Sequence, residues 1–239
     1  MNNTLANGLH LLAELSATAA AHTVTELATR LQVPKSHAHR LLQTLVELGY
    51  AVQDPDRRYR IGLEPLAISK ALLANHPLRI LAMPHLHRLA EATGMDALAT
   101  VPHRGGVAII LAAVYPGGEQ RDAISAVGNR LGHPGSATGA LFACLIPGFA
   151  AADDLPAARR RAIARECVAV RDPGFSSTTN GMAAAVRAAD GTVVGGLGLS
   201  APGRIFAERY ERGRALLRAA ADAIEAQLAQ PSTSEEVQR

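Results

Sequence analysis

Basic and hydrogen-bonding side chains cluster in the N-terminal part of the 239-residue chain, at a spacing suited to contacts with DNA. No acidic residue occurs between Leu27 and Val46. Arginine and lysine suit phosphates or guanine edges, while serine and neutral histidine both donate and accept hydrogen bonds. The candidate DNA-contacting residues are Thr25, Lys35, Ser36, His37, His39, Arg40, Arg57 and Arg58. Because any one of these charges alone is typical of a solvated helix face, the interpretation depends on the elements that carry them.

A helix-turn-helix pattern carries most of these residues. The sequence Thr23-Val24-Thr25-Glu26 is a capping box, which predicts the start of a short helix over Val24–Leu31. Pro34 is acceptable in the first turn of the next helix, which we expect to run to Leu48 and to stop at Gly49. Leucines on one face of this second helix would pack on the first, and its N-terminal turns would enter a major groove.

A hairpin follows the second helix. Two short alternating segments, Tyr50–Gln53 and Arg58–Ile61, flank an Asp-Pro-Asp turn, a pattern typical of a β-hairpin. Together with a leading helix over Leu5–Ala19, these elements predict a winged helix-turn-helix DNA-binding domain over residues 1–62 and then a linker helix over residues 63–76. A winged helix that mediates only protein contacts is the alternative that the residues leave open.

A second group of small and polar residues could hold an anion. The loop His133–Gly139 precedes an apolar helix predicted over Ala140–Ile146. Small residues before a helix leave backbone N–H groups accessible at the positive end of the helix dipole, which suits a carboxylate. An ordinary Gly/Pro loop with a Ser or Thr cap gives the same pattern, so both interpretations stay open on the residues alone.

The rest of the chain predicts an α+β domain. Alternating segments around glycine-rich loops, an Asp190-Gly191 hairpin signal and a long final helix from about Phe206 indicate an antiparallel sheet with helices packed on it. We assign residues 77–231 to this domain and residues 232–239 to a frayed polar tail.

Composition excludes several classes of protein. A formal net charge of only +3 excludes a polyelectrolyte, and a 48% hydrophobic share excludes a mainly disordered chain. The sequence shows neither a membrane helix nor a signal peptide, and Cys144 and Cys167 are too few for a disulfide framework. We therefore expect a cytoplasmic protein with no cofactor and no metal site. Gly196–Ala201 fits a dinucleotide-binding glycine pattern, but Pro202 would interrupt the helix that such a site needs.

These motifs resemble those of IclR-type bacterial transcriptional regulators. The resemblance rests on Thr23–Ala28, Val33–Leu42, Leu45–Tyr50 and Tyr59–Gly62, and it resumes at Pro84–Gly94, Asp190–Val194 and Leu199–Pro202. It implies a winged-helix domain, a linker helix and a GAF-like effector-binding domain. It also implies homodimers, or dimers of dimers, on a palindromic double-stranded DNA operator.

By the same resemblance, the loop before the apolar helix and two later strands form an effector pocket. The implied pocket residues are Ser136, Ala137, Thr138, Gly139, Gly181, Met182, Gly198 and Ser200. Many relatives have lysine, cysteine and serine where this chain has Gly139, Gly181 and Gly198. These departures predict a pocket roomier and less polar than one for a small keto acid. We therefore hypothesise a larger organic acid, with an aromatic acid as one form of it; a closed pocket without an effector is the alternative.

Two functions from different classes follow from the sequence. The first is a ligand-responsive regulator that binds an operator and is modulated by a small organic acid. The second is a small-molecule sensor or enzyme whose winged helix serves only protein interaction. No G-x-S-x-G nucleophile elbow or other catalytic arrangement is visible, so we expect the regulator and not an enzyme.

Overall fold

The computed structural model describes residues 3–104, 106–115, 127–132, 135–150, 154–171 and 179–230. The chain divides into two compact units, Met1–Ala74 and Asn75–Arg239. The tail predicted over residues 232–239 lies outside the described residues. None of the helices in the described ranges has the length and apolar character needed to cross a membrane.

The first unit is a three-helix bundle followed by a small hairpin and a further helix. Its elements are α1 (Asn3–Ser16), α2 (Val24–Leu31), α3 (Lys35–Glu47), β1 (Ala51–Gln53), β2 (Tyr59–Ile61) and α4 (Glu64–Ala74). Leucines from the three bundle helices form its core with Ala51 and Tyr59 from the hairpin. The predicted linker segment therefore contains α4, which lies in this first unit.

The capping box at the start of α2 is present as expected. The Thr23 backbone N–H donates to Glu26 Oε2 at 2.7 Å, and Thr23 Oγ1 accepts from the Glu26 N–H at 3.2 Å. This exchange satisfies two groups at the helix start and holds the pKa of the Glu26 carboxyl below its usual value, with the Thr23 N–H as the largest cause. Gln32 ends α2 in the left-handed region, at φ 56°, and α3 begins at Lys35.

The hairpin has a short turn and is attached to the bundle. Its strands pair antiparallel, with Ala51 opposite Ile61, and the Asp54 side chain accepts from the Arg58 N–H at 2.8 Å. His22 and Tyr59 exchange backbone hydrogen bonds of 2.9 and 2.7 Å, which tie β2 to the segment before α2. The predicted winged helix-turn-helix is therefore present.

The second unit is an antiparallel sheet with helices on both faces. Its helices are α5 (Pro77–Thr93), α6 (Ala137–Leu145), α7 (Ala157–Glu166) and α8 (Gly203–Leu228). Its strands are β3 (Asp96–His103), β4 (Gly106–Ala113), β5 (Arg130–Leu131), β6 (Val168–Val170), β7 (Thr179–Arg187) and β8 (Val193–Pro202). The strand order is β5-β4-β3-β8-β7-β6, and every pair is antiparallel. The α+β prediction is confirmed.

The two faces of this sheet have different partners. Because strand residues alternate between faces, Met182 and Leu199, which oppose each other on β7 and β8, share one face. A Cβ built on Gly213 of α8 would lie 3.3 Å from Leu199 Cδ1 and 3.5 Å from Met182 Cε, so α8 covers that face. The other face carries Ala183, and this residue joins the core cluster built around Phe142 of α6.

Candidate functional site

The N-terminal turns of α3 present a polar and basic surface. Lys35, Ser36, His39 and Arg40 are all exposed, whereas Ala38 and Leu42 of the same helix are buried, with Leu42 in the bundle core. Since helix residues three or four positions apart share a face, the helix has one packing side and one solvent-facing side. This division is the one that a recognition helix needs.

Two of the candidate residues near this surface have different surroundings. Thr25 lies in the first turn of α2, outside α3, and is exposed. His37 is half-buried, and its Nε2 atom lies 3.4 Å from Asn7 Nδ2 of α1. Because this contact directs one ring nitrogen towards α1, His37 is less available to a nucleic acid than Lys35 or Arg40.

The two candidate arginines of the hairpin are both exposed. Arg57 has φ 59° in the turn, and its N–H donates to Asp54 O at 3.0 Å. Arg58 Nη1 donates to the Ala21 carbonyl oxygen at 3.3 Å, so this guanidinium is partly engaged within the unit. Arg57 is therefore the better placed of the two to contact a ligand outside the unit.

A cavity of about 340 Å³ lies in the second unit, between the sheet and the start of α6. Seven of the eight predicted pocket residues line it, and they come from α6, its preceding residue and strands β7 and β8. These seven are Ser136, Ala137, Thr138, Gly181, Met182, Gly198 and Ser200. The fold thus brings together residues that are more than 60 positions apart in the sequence.

Gly139 is the predicted residue that does not line the cavity. Ser136 caps α6: its Oγ accepts from the Gly139 N–H at 3.0 Å and donates to the Gly132 carbonyl oxygen at 3.0 Å. The Gly139 N–H is therefore used inside the helix start, and the residue is buried. From the residues alone, an ordinary capped loop was the alternative to an anion site. The structure has both the Ser136 cap and a cavity next to it.

Met182 borders the cavity differently from its neighbours. Its terminal Cε lies near Gly213 of α8, on the opposite face of the sheet. The adjacent residue, Ala183, pairs with Gly198 on the cavity face. We therefore attribute the contribution of Met182 to its main chain rather than to its thioether.

Two arginines that the sequence analysis did not single out also line the cavity. Arg171 follows β6 and is half-buried; its Nη1 donates to the Thr179 carbonyl oxygen at 2.8 Å, and its backbone N–H donates to the Gly181 carbonyl oxygen at 2.8 Å. Arg130 of β5 is exposed. No acidic side chain is found among the described residues that line this cavity. The position of Arg171, a charged residue directly after the apolar run Val168–Val170, is the sequence signal that could have indicated it as a cavity residue.

The structure describes the surroundings of the features that could carry enzyme chemistry. In the ranges that the structure covers, no three side chains of histidine, cysteine, aspartate or glutamate gather as a metal site would require. Burial raises the pKa of the Cys144 thiol, which disfavours the nucleophilic thiolate. Residues 196–201 lie within β8 and not in a strand-to-helix turn, so the glycine pattern there is not a dinucleotide site.

Comparison with known sequences identifies the N-terminal region. Residues 4–55 match the model of the IclR helix-turn-helix domain. Over 88 residues the chain is 32% identical to the Pca regulon regulatory protein of Pseudomonas putida and 34% identical to the glycerol operon regulatory protein of Streptomyces griseus. These alignments cover 37% and 36% of this chain but only 30% and 35% of the relatives. The match therefore spans about a third of the length of those proteins.

Solved structures extend the likeness to nearly the whole chain. The IclR transcriptional regulator from Alicyclobacillus acidocaldarius has a TM-score of 0.79 at 23% identity, with 96% of this chain and 100% of that chain covered. An IclR homolog from Microbacterium hydrocarbonoxydans, complexed with 4-hydroxybenzoate, has a TM-score of 0.76 at 20% identity, covering 94% and 98%. At these identities the likeness shows the fold. These relatives and structural neighbours are named as regulators or their homologs, not as enzymes.

Proposed function

We propose that the chain is a ligand-responsive transcriptional regulator of the IclR type, because residues 4–55 match the IclR helix-turn-helix domain and the fold is similar to that of a solved IclR regulator. It binds double-stranded DNA through the first unit, and a small organic acid in the second unit changes its operator affinity. Such a protein acts in the cytoplasm, where its DNA lies. The observation that carries the proposal is the exposed basic surface of α3 within the matched domain.

The recognition helix in this proposal is α3. Its N-terminal residues enter the major groove, where Arg40 and Lys35 contact guanine edges or phosphates and Ser36 and His39 add hydrogen bonds. The hairpin acts as the wing, and Arg57 at its turn reaches the backbone or the minor groove. Thr25 at the start of α2 contacts a phosphate.

The surface of α4 supports our proposal of a dimer on a palindromic operator. This helix has no buried residue, and Leu63, Leu66, Ile68 and Leu72 on and beside it are 82, 69, 61 and 65% exposed. Exposed leucine and isoleucine side chains gathered on one helix favour a protein surface that covers them. A second copy of the chain supplies that surface in our proposal. Two-fold symmetry then places two recognition helices on symmetric half-sites, and dimers of dimers extend the same arrangement.

The effector in this proposal is an organic acid bound in the cavity on the sheet. Arg171 and Arg130 give the cavity a positive lining, and Ser136–Thr138 contribute the start of α6, where the helix dipole favours a carboxylate. The cavity volume of about 340 Å³ is within the usual range for small-molecule sites. The 4-hydroxybenzoate bound by the Microbacterium homolog supports an aromatic acid.

Regulation requires the acid to distinguish two arrangements of the protein. An acid that binds the DNA-competent arrangement more tightly raises operator affinity, and one that binds the other arrangement lowers it. A coupling free energy of ~1–3 kcal/mol, typical of such proteins, changes affinity by about 5- to 150-fold.

A fluorescence-anisotropy titration against DNA upstream of the protein's own gene tests the DNA-binding part. We expect binding to depend on sequence and to weaken steeply with salt, with scrambled DNA as the reference. Arg40→Ala should lose about 5- to 150-fold in affinity, because one base-edge contact contributes ~1–3 kcal/mol. The matched control is Arg30→Ala. It removes an exposed arginine of α2 whose Nη1 lies 3.1 Å from Glu14 Oε2 of α1. Equal, weak binding of both DNAs would instead make the winged helix a protein-interaction module.

A further inference from the structure

Three glycines lie close together on β8, and packing explains only two of them. A Cβ on Gly195 would lie 2.3 Å from Leu78 Cδ2 and 2.5 Å from the Thr100 carbonyl oxygen, which is too close for any side chain. A Cβ on Gly196 would lie 3.2 Å from the Ala184 carbonyl oxygen, which is also tight. The close approach of neighbouring atoms requires glycine at position 195 and disfavours a side chain at position 196.

Gly198 has no such packing requirement. A Cβ there would lie 3.5 Å from the Met182 carbonyl oxygen and 3.8 Å from Leu98 Cβ, both ordinary van der Waals distances. Its φ is not among the positive values of the chain, so the backbone does not demand glycine either. The residue lies opposite Leu98 on β3 and Ala183 on β7, in the middle of the cavity face.

From this contrast we infer that Gly198 sets the size of the ligand that the cavity accepts. The inference rests on the proposed effector function and adds to it the residue that makes room for a ring. Without a side chain at this position, the floor of the cavity stays open beside the apolar side chain of Leu98. A flat ring fits over a glycine in a sheet, while its carboxylate extends towards the cationic side of the cavity at Arg171. The class of ligand is a single-ring aromatic carboxylate.

The other cavity glycine on the neighbouring strand is less informative as a test. A Cβ on Gly181 would lie 3.2 Å from the Leu199 carbonyl oxygen, so a substitution there would press on the sheet backbone. An effect of Gly181→Ala would therefore mix loss of space with displacement of a strand. Gly198→Ala adds one methyl group at ordinary contact distances and leaves the strands in place.

Calorimetric titration of the full chain with benzoate and with pyruvate tests this inference. We expect the wild type to bind benzoate more tightly than pyruvate. Gly198→Ala should lose about 10- to 200-fold in benzoate affinity, the range that one methylene makes in a fitted pocket, while pyruvate binding changes by less than about two-fold. Gly198→Ser should lose benzoate affinity to a similar extent, because the size of the side chain at position 198, and not its polarity, determines that affinity.

The controls separate the loss of space from a loss of structure. Gly8→Ala makes the same chemical change on α1, where no described atom outside the local helix backbone lies within 4 Å of the added Cβ, and it should leave both affinities unchanged. The thermal unfolding temperature of Gly198→Ala should match that of the wild type. An equal loss of both acids, or no loss of benzoate, would overturn the inference. If the wild type binds neither acid but still binds DNA, the effector proposal and this inference fail together, and the DNA-binding proposal stands.

Discussion

The two units differ in how far apart along the chain their functional residues lie. In the first unit, the exposed residues of α3 lie between Lys35 and Arg40, and the hairpin arginines follow within 20 residues. In the second unit, the cavity draws on residues from Leu98 to Ser200, contributed by α6 and by every strand except β4 and β6 among the described elements. A local pattern therefore defines the candidate DNA surface, whereas strand pairing defines the cavity.

The two units also have separate hydrophobic cores, and this separation has a thermodynamic consequence. Leu42 is fully buried in the first unit, and Phe142 is fully buried in the second, where it also contacts Phe149 edge-to-face at 5.5 Å between ring centroids. A defect in one core should leave the other intact. Substitutions that act on one unit at a time test whether the two cores are independent.

A substitution that disrupts one core and leaves the other intact should change the free energy of unfolding most. Leu42→Ala should destabilise the first unit by ~2–5 kcal/mol, and Phe142→Ala should destabilise the second by ~3–5 kcal/mol, because each leaves a cavity in a packed core. Hydrogen exchange of the full chain should show reduced protection in α1–α3 for the first variant and in α6 and β7 for the second. Reduced protection throughout the chain for either variant would show that the units do not unfold separately.

A smaller effect is expected when charge is removed from the cavity. Arg171→Gln should weaken benzoate binding by about 10- to 150-fold, because a hydrogen bond to a charged group contributes ~1.5–3 kcal/mol. Binding of benzamide, which has the same ring without the charge, should change little, and so should DNA affinity without ligand. Arg171→Lys should retain part of the benzoate affinity. An equal loss of benzoate and benzamide would mean that Arg171 acts only by holding the Thr179 carbonyl.

The smallest change that we expect is a pH dependence of stability, confined to the first unit. The Thr23 N–H holds the pKa of Glu26 below its ordinary value of 4.5. A carboxyl with a lowered pKa stabilises the folded state above its unfolded pKa and loses that contribution as the pH falls through the folded pKa. The stability difference between wild type and Glu26→Gln should therefore shrink as the pH falls below about 4.5.

Chemical denaturation read from the first unit, repeated between neutral pH and about pH 3, measures this dependence. Glu47→Gln, which changes an exposed carboxylate at the end of α3, is the matched control. A difference between wild type and Glu26→Gln that does not vary with pH would contradict the role of the capping box.

The first unit was predictable from sequence because its signals are local. The Thr23–Glu26 capping box, the break at Pro34 and the stop near Gly49 each depend on residues a few positions apart, and the structure confirms α2 and α3 within one or two residues. His37 shows the limit of this reasoning. Its contact with Asn7 joins residues 30 positions apart, and the period of α3 alone does not reveal it.

The cavity was only partly predictable for the same reason. Seven residues were placed by resemblance to a family, but Arg130 and Arg171 reach the cavity through the pairing of β5 with β4 and of β6 with β7. Strand order across a sheet depends on long-range packing, which composition and periodicity do not encode. The prediction of a less polar pocket therefore overlooked two cations, although the expectation of an acidic ligand agrees with them.

In our proposal, one molecule binds both an operator and an acid and couples the two binding events. The most direct test measures operator affinity with and without benzoate, and benzoate affinity with and without the upstream DNA. We predict that both affinities change by the same factor, in the range of about 5- to 150-fold, because linkage is reciprocal. If benzoate and DNA both bind but neither alters the affinity of the other, the protein is not a benzoate-responsive regulator, and the proposed coupling is contradicted.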